Sequence, residues 1–278
     1  MPETTPLRNL QLKEVEILKA FADFCEQHGL RYYLAEGTLL GAIRHQGFIP
    51  WDDDTDVMMP RKDYDRLIEL GKNGLPGGYE LRNYKLHSES LGLPIKVVCT
   101  KYLLKRHLFG KVEIVPVWID VFPLDGLPNA PRNQQKHLKK LHRAYFLHRL
   151  SRVQYHGTEA PKSGVRQLVL KADHILHFSK ILNFRKQTEK VESLLKQHDY
   201  DKSDCCINYY SEYRKRQIFP KSYYGSGKLC KFEGYEFKIP AEAEKILSGI
   251  YGDYMKLPPE EQRVCKHSIE IIENKKEE

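Results

Sequence analysis

Apolar residues recur at helical intervals near the start of the chain. Leu10, Val15, Leu18, Phe21, Ala22 and Cys25 mark one face of a helix expected over residues 7–28, and Gly29 is placed to end it. Tyr32, Tyr33 and Leu34 read as a short strand over 31–35 that leads into a turn at Gly37-Thr38. Thr38 is expected to cap a short helix over 39–45, followed by a loop at 47–51 and a strand over 55–59. Pro60 then opens a helix with Tyr64, Leu67 and Ile68 on its apolar side. Further strands are expected over 95–100 and 114–122, the second running into the turn signal Pro123-Leu-Asp-Gly-Leu-Pro128. Helices over 132–154 and 164–198 follow, separated by a break at 157–164. Beyond Tyr200 the pattern shortens: Tyr235, Phe237 and Ile239 alternate with polar residues, which reads as a hairpin within 230–240. A helix over 241–251 comes next, and the charged ending, 271–278, reads as a frayed tail. This order predicts an α/β (α+β) protein built as one domain over 1–278. A mixed-sheet core would occupy 7–128, a helical insertion 129–200, and a β/α portion 201–270.

Length and composition leave that picture intact. The 278 residues suffice for a sizeable core, and a hydrophobic share of 41% is ordinary for a globular protein. No apolar run approaches the roughly 18–20 residues of a membrane span, and the polar beginning lacks the stretch of a secretory signal. A cytoplasmic protein is therefore expected. The six cysteines (Cys25, Cys99, Cys205, Cys206, Cys230 and Cys265) include no C-x-x-C pair and read as reduced thiols. Cys205 and Cys206, with Cys230 and Cys265 further on, have a second reading as a zinc site, against which their spacing argues.

Charge adds something. Of the net +8, residues 129–200 hold 15 Lys and Arg against 5 Asp and Glu, so the rest of the chain is close to neutral. The region reads either as a solvated helical surface or as a docking face for a nucleotide, an anionic glycan or an anionic inner leaflet. Nucleic acid is not an expected partner, because no recognisable module or aromatic-basic interleaving is present.

Four aspartates lie within five positions, Asp52, Asp53, Asp54 and Asp56, ahead of the apolar run Val57-Met58-Met59. On a strand, Asp54 and Asp56 would share a face, and two ionised carboxylates so placed call for a cation between them. Oxygen ligands suit a hard divalent ion such as Mg²⁺ (or Mn²⁺). Asp120, in a strand otherwise apolar, is the candidate third acid, as a metal ligand or as a base, with a strand-end aspartate as its plainer reading. The turn at Gly37 and Thr38 would offer backbone N–H groups to a phosphate. Arg44 and His45 either face that phosphate or bracket the acids as counter-charge. Together these features describe a phosphoryl- or nucleotidyl-transfer site.

Competing motifs fail on detail. An EF-hand loop starting at Asp52 would need Gly where Val57 stands. The Gly225-Ser-Gly-Lys228 stretch lacks the first Gly of a P-loop and carries Leu229 in place of Ser or Thr. His174 and His177 are three apart on an expected helix, a spacing that permits metal binding without requiring it.

The stretch from Gly37 through Asp56-Val57 to Pro60-Arg-Lys-Asp-Tyr64 resembles the LicD family of bacterial phosphotransferases, to which the eukaryotic fukutin proteins are similar. Ile119-Asp-Val-Phe-Pro-Leu-Asp-Gly126, Phe232-Glu-Gly-Tyr-Glu-Phe-Lys-Ile-Pro240 and Tyr251-Gly-Asp-Tyr-Met-Lys-Leu-Pro-Pro259 extend the likeness, which runs from about residue 10 to 270. The family pattern usually carries Ile where this chain has Thr55, which reads as a conservative change on the opposite strand face. The resemblance implies a nucleotidyltransferase-type fold with Gly37-Thr38, Asp54-x-Asp56 and Asp120 as its site. It also implies transfer of phosphocholine from CDP-choline, or another phospho-alcohol from its CDP donor, to a hydroxyl of a cell-envelope glycan such as lipopolysaccharide or teichoic acid. CMP would be released. A lipid-linked glycan acceptor at the inner leaflet is the expected second partner. A true nucleotidyltransferase and a non-catalytic member of an envelope-assembly complex remain as alternatives.

Overall fold

The computed structural model describes residues 5–87, 94–108, 111–151, 181–211, 213–265 and 269–274. Helix α1 (Pro6–Gln27) opens it, capped by the Thr5 hydroxyl, which accepts the N–H of Arg8 at 3.2 Å. Its stripe of Leu10, Ile17, Leu18, Phe21 and Cys25 is fully buried, because the helix lies over the central sheet.

That sheet is mixed. Strand β1 (Tyr33–Leu34) pairs antiparallel with β2 (Asp56–Pro60), and β2 runs parallel to the long β5 (Lys111–Gly126). On the other side of β5 lies β4 (Ile95–Leu108), antiparallel to it. The outer edge of β4 is shared between β3 (Tyr79–Arg82) at its beginning and β10 (Ile269–Glu273) at its end. At the far end of β5, β6 (Cys205–Ile207) and β7 (Ile218–Pro220) extend the pairing, while β8 (Lys228–Phe232) and β9 (Tyr235–Ile239) make the expected separate hairpin.

Four strands differ from the sequence expectation for local reasons. Strands β4 and β5 run well beyond 95–100 and 114–122 as a hairpin with a register shift between Cys99 and Leu103; Leu104, past the shift, is still in the core, and the end of the hairpin runs beyond it. Val112 and Ile114 are more than half exposed there, so no burial pattern marks the extension. Strand β3 buries only Leu81, too little periodicity to announce itself. The ending does not fray from residue 271: Ile269 and Ile271 are half-buried on β10, and residues 269–273 pair with β4.

Helix α2 (Glu36–His45) begins three residues earlier than expected. Gly37 and Thr38 therefore sit in its first turn, and Thr38 is not the cap: Ala35 holds that position without a side-chain bond. The Thr38 hydroxyl, buried, instead accepts the N–H of Asp56 at 2.8 Å and ties the helix start to β2. Helix α3 (Arg61–Gly71) follows β2 directly and buries Tyr64, Leu67 and Ile68 as expected.

Beyond β5, α4 (Pro131–Ser151) and α5 (Phe184–Leu195) pack together over a second, smaller core that includes Leu127, Leu141, Val191 and Leu195. The break at 157–164 and the pair His174 and His177 lie outside the described residues. Helix α6 (Ala243–Tyr251) ends the chain's last αβ segment close to where it was expected. Cys25, Cys99 and Cys206 are buried free thiols. Among the described residues no three His, Cys, Asp or Glu side chains gather on one point, so the zinc reading of Cys205, Cys206, Cys230 and Cys265 has no support.

Asp125, in the second of the motifs, is structural. Its carboxylate accepts Arg61 Nε at 2.6 Å and Nη2 at 2.8 Å, a two-point pair that is almost wholly buried. Glu192 of α5 adjoins it, accepting from Lys85 at 2.8 Å and from the Tyr84 hydroxyl. Burial alone would raise the pKa of Glu192, but those two donors outweigh it and hold the carboxyl below its usual range. Removing one member of the Arg61–Asp125 pair would strand a buried charge, at about 3–5 kcal/mol.

Candidate active site

The pairing of strands puts three charged side chains in one row. On the parallel β2–β5 ladder Asp56 is the direct partner of Asp120, and on the antiparallel β5–β4 ladder Asp120 is the partner of Lys96. Lys96 Nζ stands 3.3 Å from Asp120 Oδ1 and 3.7 Å from the centre of the Trp118 ring. Trp118 and Asp120 are two apart on one strand face, and the indole N–H donates to Asp120 Oδ2 at 2.9 Å. Asp120 is thus oriented by two donors, one charged and one neutral.

Asp56 is differently placed. Burial is the main reason its pKa is raised well above the carboxylate range, and Asp54, Glu36, Asp120 and Asp52 add to the rise. A cleft of about 630 Å³ runs past these groups, lined by Asp52, Asp53, Asp54, Asp56, Asp120 and Glu36, together with Gly37. That volume suits a nucleotide-sized ligand.

The loop carrying the aspartates is fastened from below and from the side. Gln11 of α1 donates to the Asp52 carbonyl at 2.9 Å, and the Thr55 hydroxyl donates to Glu14 of α1 at 2.8 Å. Both Thr55 and Glu14 are buried. Burial raises the pKa of Glu14, the Thr55 bond opposes that rise, and Asp54, Asp53 and Asp52 reinforce it. Thr55 is therefore not a neutral exchange for Ile: its hydroxyl is the hydrogen-bond donor of a buried acid. From the side, Glu233 at the tip of the β8–β9 hairpin accepts the Phe48 N–H at 3.0 Å and two bonds from Arg8, at 3.0 and 2.6 Å. A Cβ on Gly47 would stand 2.4 Å from Glu233 Oε1, so any side chain there would push the hairpin carboxylate aside.

The expected site residues divide into two groups. Asp54, Asp56, Asp120 and Gly37 line the cleft, and Thr38 lies behind it on the backbone of Asp56. Arg44 and His45, at the other end of α2, are not in that lining. Arg44 donates to the Tyr254 carbonyl at 2.8 Å and to His45 Nε2 at 3.0 Å. Glu36, Lys96, Trp118, Tyr213 and Tyr251 escaped the sequence reading. Trp118 and Lys96 were reachable only through register, the one two residues before Asp120 and the other its cross-strand partner.

As a donor set, Asp54, Asp56 and Asp120 offer carboxylate oxygens only, which fits a hard divalent ion that keeps some of its water. Among the described residues these three acids border one open cleft without gathering on a single point.

A protein aligned with almost the whole of this chain is the lipopolysaccharide cholinephosphotransferase LicD of Haemophilus influenzae, 34% identical over 263 residues that span 94% of this chain and 96% of the relative. The chain belongs to the LicD family. The family model described as "LicD/FKTN/FKRP, nucleotidyltransferase domain" matches residues 29–162, the portion that holds α2, the aspartate loop and both long strands. More distant relatives are uncharacterized proteins of Rickettsia typhi, 28% identical over 40% of this chain and 33% of its own length, and of Rickettsia prowazekii, 22% identical over 63% and 64%.

Proposed function

We propose that this LicD-family protein is a phosphotransferase that moves phosphocholine from CDP-choline to a hydroxyl of a cell-envelope glycan and releases CMP. The observation that carries this reading is the in-register pairing of Asp56 with Asp120 in one cleft with Asp54. The near end-to-end likeness to a cholinephosphotransferase supports the choice of phosphocholine.

In the reaction the acceptor hydroxyl attacks the phosphorus that bears choline. The new P–O bond forms as the bond to CMP breaks, and the hydroxyl proton passes to a carboxylate. Asp120, held by Lys96 and Trp118, is the group assigned to that proton. Asp54, Asp56 and Asp120 would hold a Mg²⁺ or Mn²⁺ ion, whose chemistry when bound is to neutralise the diphosphate and the departing CMP. Gly37, in the first turn of α2, leaves the cleft floor open beside Asp52, where a side chain would intrude. The acceptor is read as lipid-linked at the inner membrane face. Supporting that, α4 exposes Arg132, Lys136, Lys139, Lys140, Arg143 and Arg149 while burying Leu141 and Ala144.

Asp54→Asn and Asp120→Asn test the assignment: CMP release should fall at least about a hundredfold in variants whose melting curves match the parent. Undiminished release by either folded variant would remove that residue from the site. The family's nucleotidyltransferase description favours a second reading, in which the acceptor keeps the nucleoside monophosphate. A cytidylylated acceptor in place of free CMP would establish it.

A further inference from the structure

The cleft has an aromatic side as well as an acidic one. Tyr213 and Tyr251, the latter at the end of α6, meet with ring centroids 5.3 Å apart and planes at 75°. Both line the cleft and both are half-buried. Phe122, two residues past Asp120 on the same strand face, and Trp51, from the aspartate loop, line it too. None of these residues touches another in sequence; the fold collects them.

Glu36 stands by this corner. Its Oε1 accepts from Asn208 Nδ2 at 3.3 Å and Gln217 Nε2 at 3.2 Å, two amides that are completely buried. Its backbone has φ of 46°, in the left-handed region that a glutamate seldom enters, so the surrounding structure holds it there. Glu36 and Asp56 line the same cleft as the two rings, so the aromatic corner faces carboxylates.

Shape and charge then select among ligands. A planar base stacks on one ring face and gains nothing from a second ring set nearly perpendicular to it. A rounded cation in a corner meets two π systems at once, and carboxylates beside it add to the attraction. A quaternary ammonium has no N–H to donate, so aromatic faces and nearby negative charge are the contacts open to it.

We propose that Tyr213 and Tyr251 seat the trimethylammonium end of the donor, with Glu36 as its principal counter-charge. The assignment rests on the phosphocholine reading above and adds to it where in the cleft the head group lies. The diphosphate end then faces Asp54, Asp56 and Asp120.

The test compares CDP-choline with its uncharged isostere, the CDP ester of 3,3-dimethylbutanol, by kcat/KM for CMP release in the presence of Mg²⁺. The parent protein should prefer the cation about 10-fold or more. Tyr251→Phe, which keeps the ring, should retain that ratio. Tyr251→Leu, Tyr213→Leu and Glu36→Gln should each reduce it to about threefold or less, with melting curves recorded to select the folded variants. Equal use of the two donors by the parent overturns the proposal without recourse to any variant, and leaves the phosphocholine reading standing. A high ratio that survives loss of the rings or of Glu36 places the head group elsewhere. CMP release from a different CDP-alcohol but not from CDP-choline would refute the phosphocholine reading itself, and the head-group seat with it.

Discussion

Gly37 shows how closely single residues define this cleft. A Cβ there would stand 2.6 Å from Asp52 Oδ2, the end of a side chain that has to turn aside. Within a helix, alanine is otherwise the better residue by up to about 1 kcal/mol. Gly37→Ala is therefore expected to leave the melting temperature unchanged or higher while lowering CMP release at least about tenfold. Kinetics and calorimetry on one preparation check both halves. Asp56 has the same signature for another reason. Asp56 is half-buried, and its carboxylate has lost solvent and faces the charges of Asp54, Glu36 and Asp120, so ionisation is unfavourable. Asp56→Asn should abolish transfer yet melt no lower than the parent at neutral pH in metal-free buffer. A substantial loss of melting temperature would mean that the carboxylate is structural. At this scale the acids of the loop were plain in the sequence, because four carboxylates so close together have few structural uses. Lys96, Glu36 and the tyrosines were not plain, since each is brought to the cleft by pairing or packing with distant chain.

At the scale of elements, the β8–β9 hairpin acts on the site through its turn. Hydrogen bonds from Arg8 are the main cause holding the Glu233 carboxyl below its ordinary pKa; burial opposes them and the Phe48 N–H adds to them. A depressed folded-state pKa means that this stabilisation is fully present above the usual glutamate range and is lost as pH falls through the lowered value. Arg8 is 40% exposed, so solvent weakens the pair, and a contribution of roughly 1 kcal/mol is expected. Glu233→Gln should lower the melting temperature by a few degrees at pH 7 and flatten its decline as pH falls below the usual glutamate range. A parallel acid decline in parent and variant would remove Glu233 as the cause. The hairpin itself was legible from the alternation of Tyr235, Phe237 and Ile239, of which Phe237 and Ile239 are fully buried. Its role was not, because the contact joins residues 225 positions apart. Helix α1 was legible from its stripe, yet its polar residues Gln11 and Glu14 prove to be the supports of the aspartate loop. The exposed end of the β4–β5 hairpin and the short β3 were hidden because neither buries an alternating face.

For the whole molecule, one cluster of acids lines the cleft and a row of bases lies exposed on α4. No helix among the described residues is long and apolar enough to cross a membrane. If the acceptor is lipid-linked, the exposed bases are what bring the enzyme to it. Vesicles rich in phosphatidylserine should sediment the protein at low salt and release it as ionic strength rises, with binding weakened by Lys136→Glu and Lys140→Glu. Binding indifferent to anionic lipid and to salt would contradict that docking face. Purified protein, Mg²⁺, CDP-choline and a lipopolysaccharide oligosaccharide lacking phosphocholine are incubated together, and the glycan mass and free CMP are measured with and without EDTA. One phosphocholine is expected on the glycan for each CMP released, both abolished by EDTA. Cytidine monophosphate found on the glycan, or transfer that persists fully in EDTA, would contradict the proposed metal-dependent phosphotransfer.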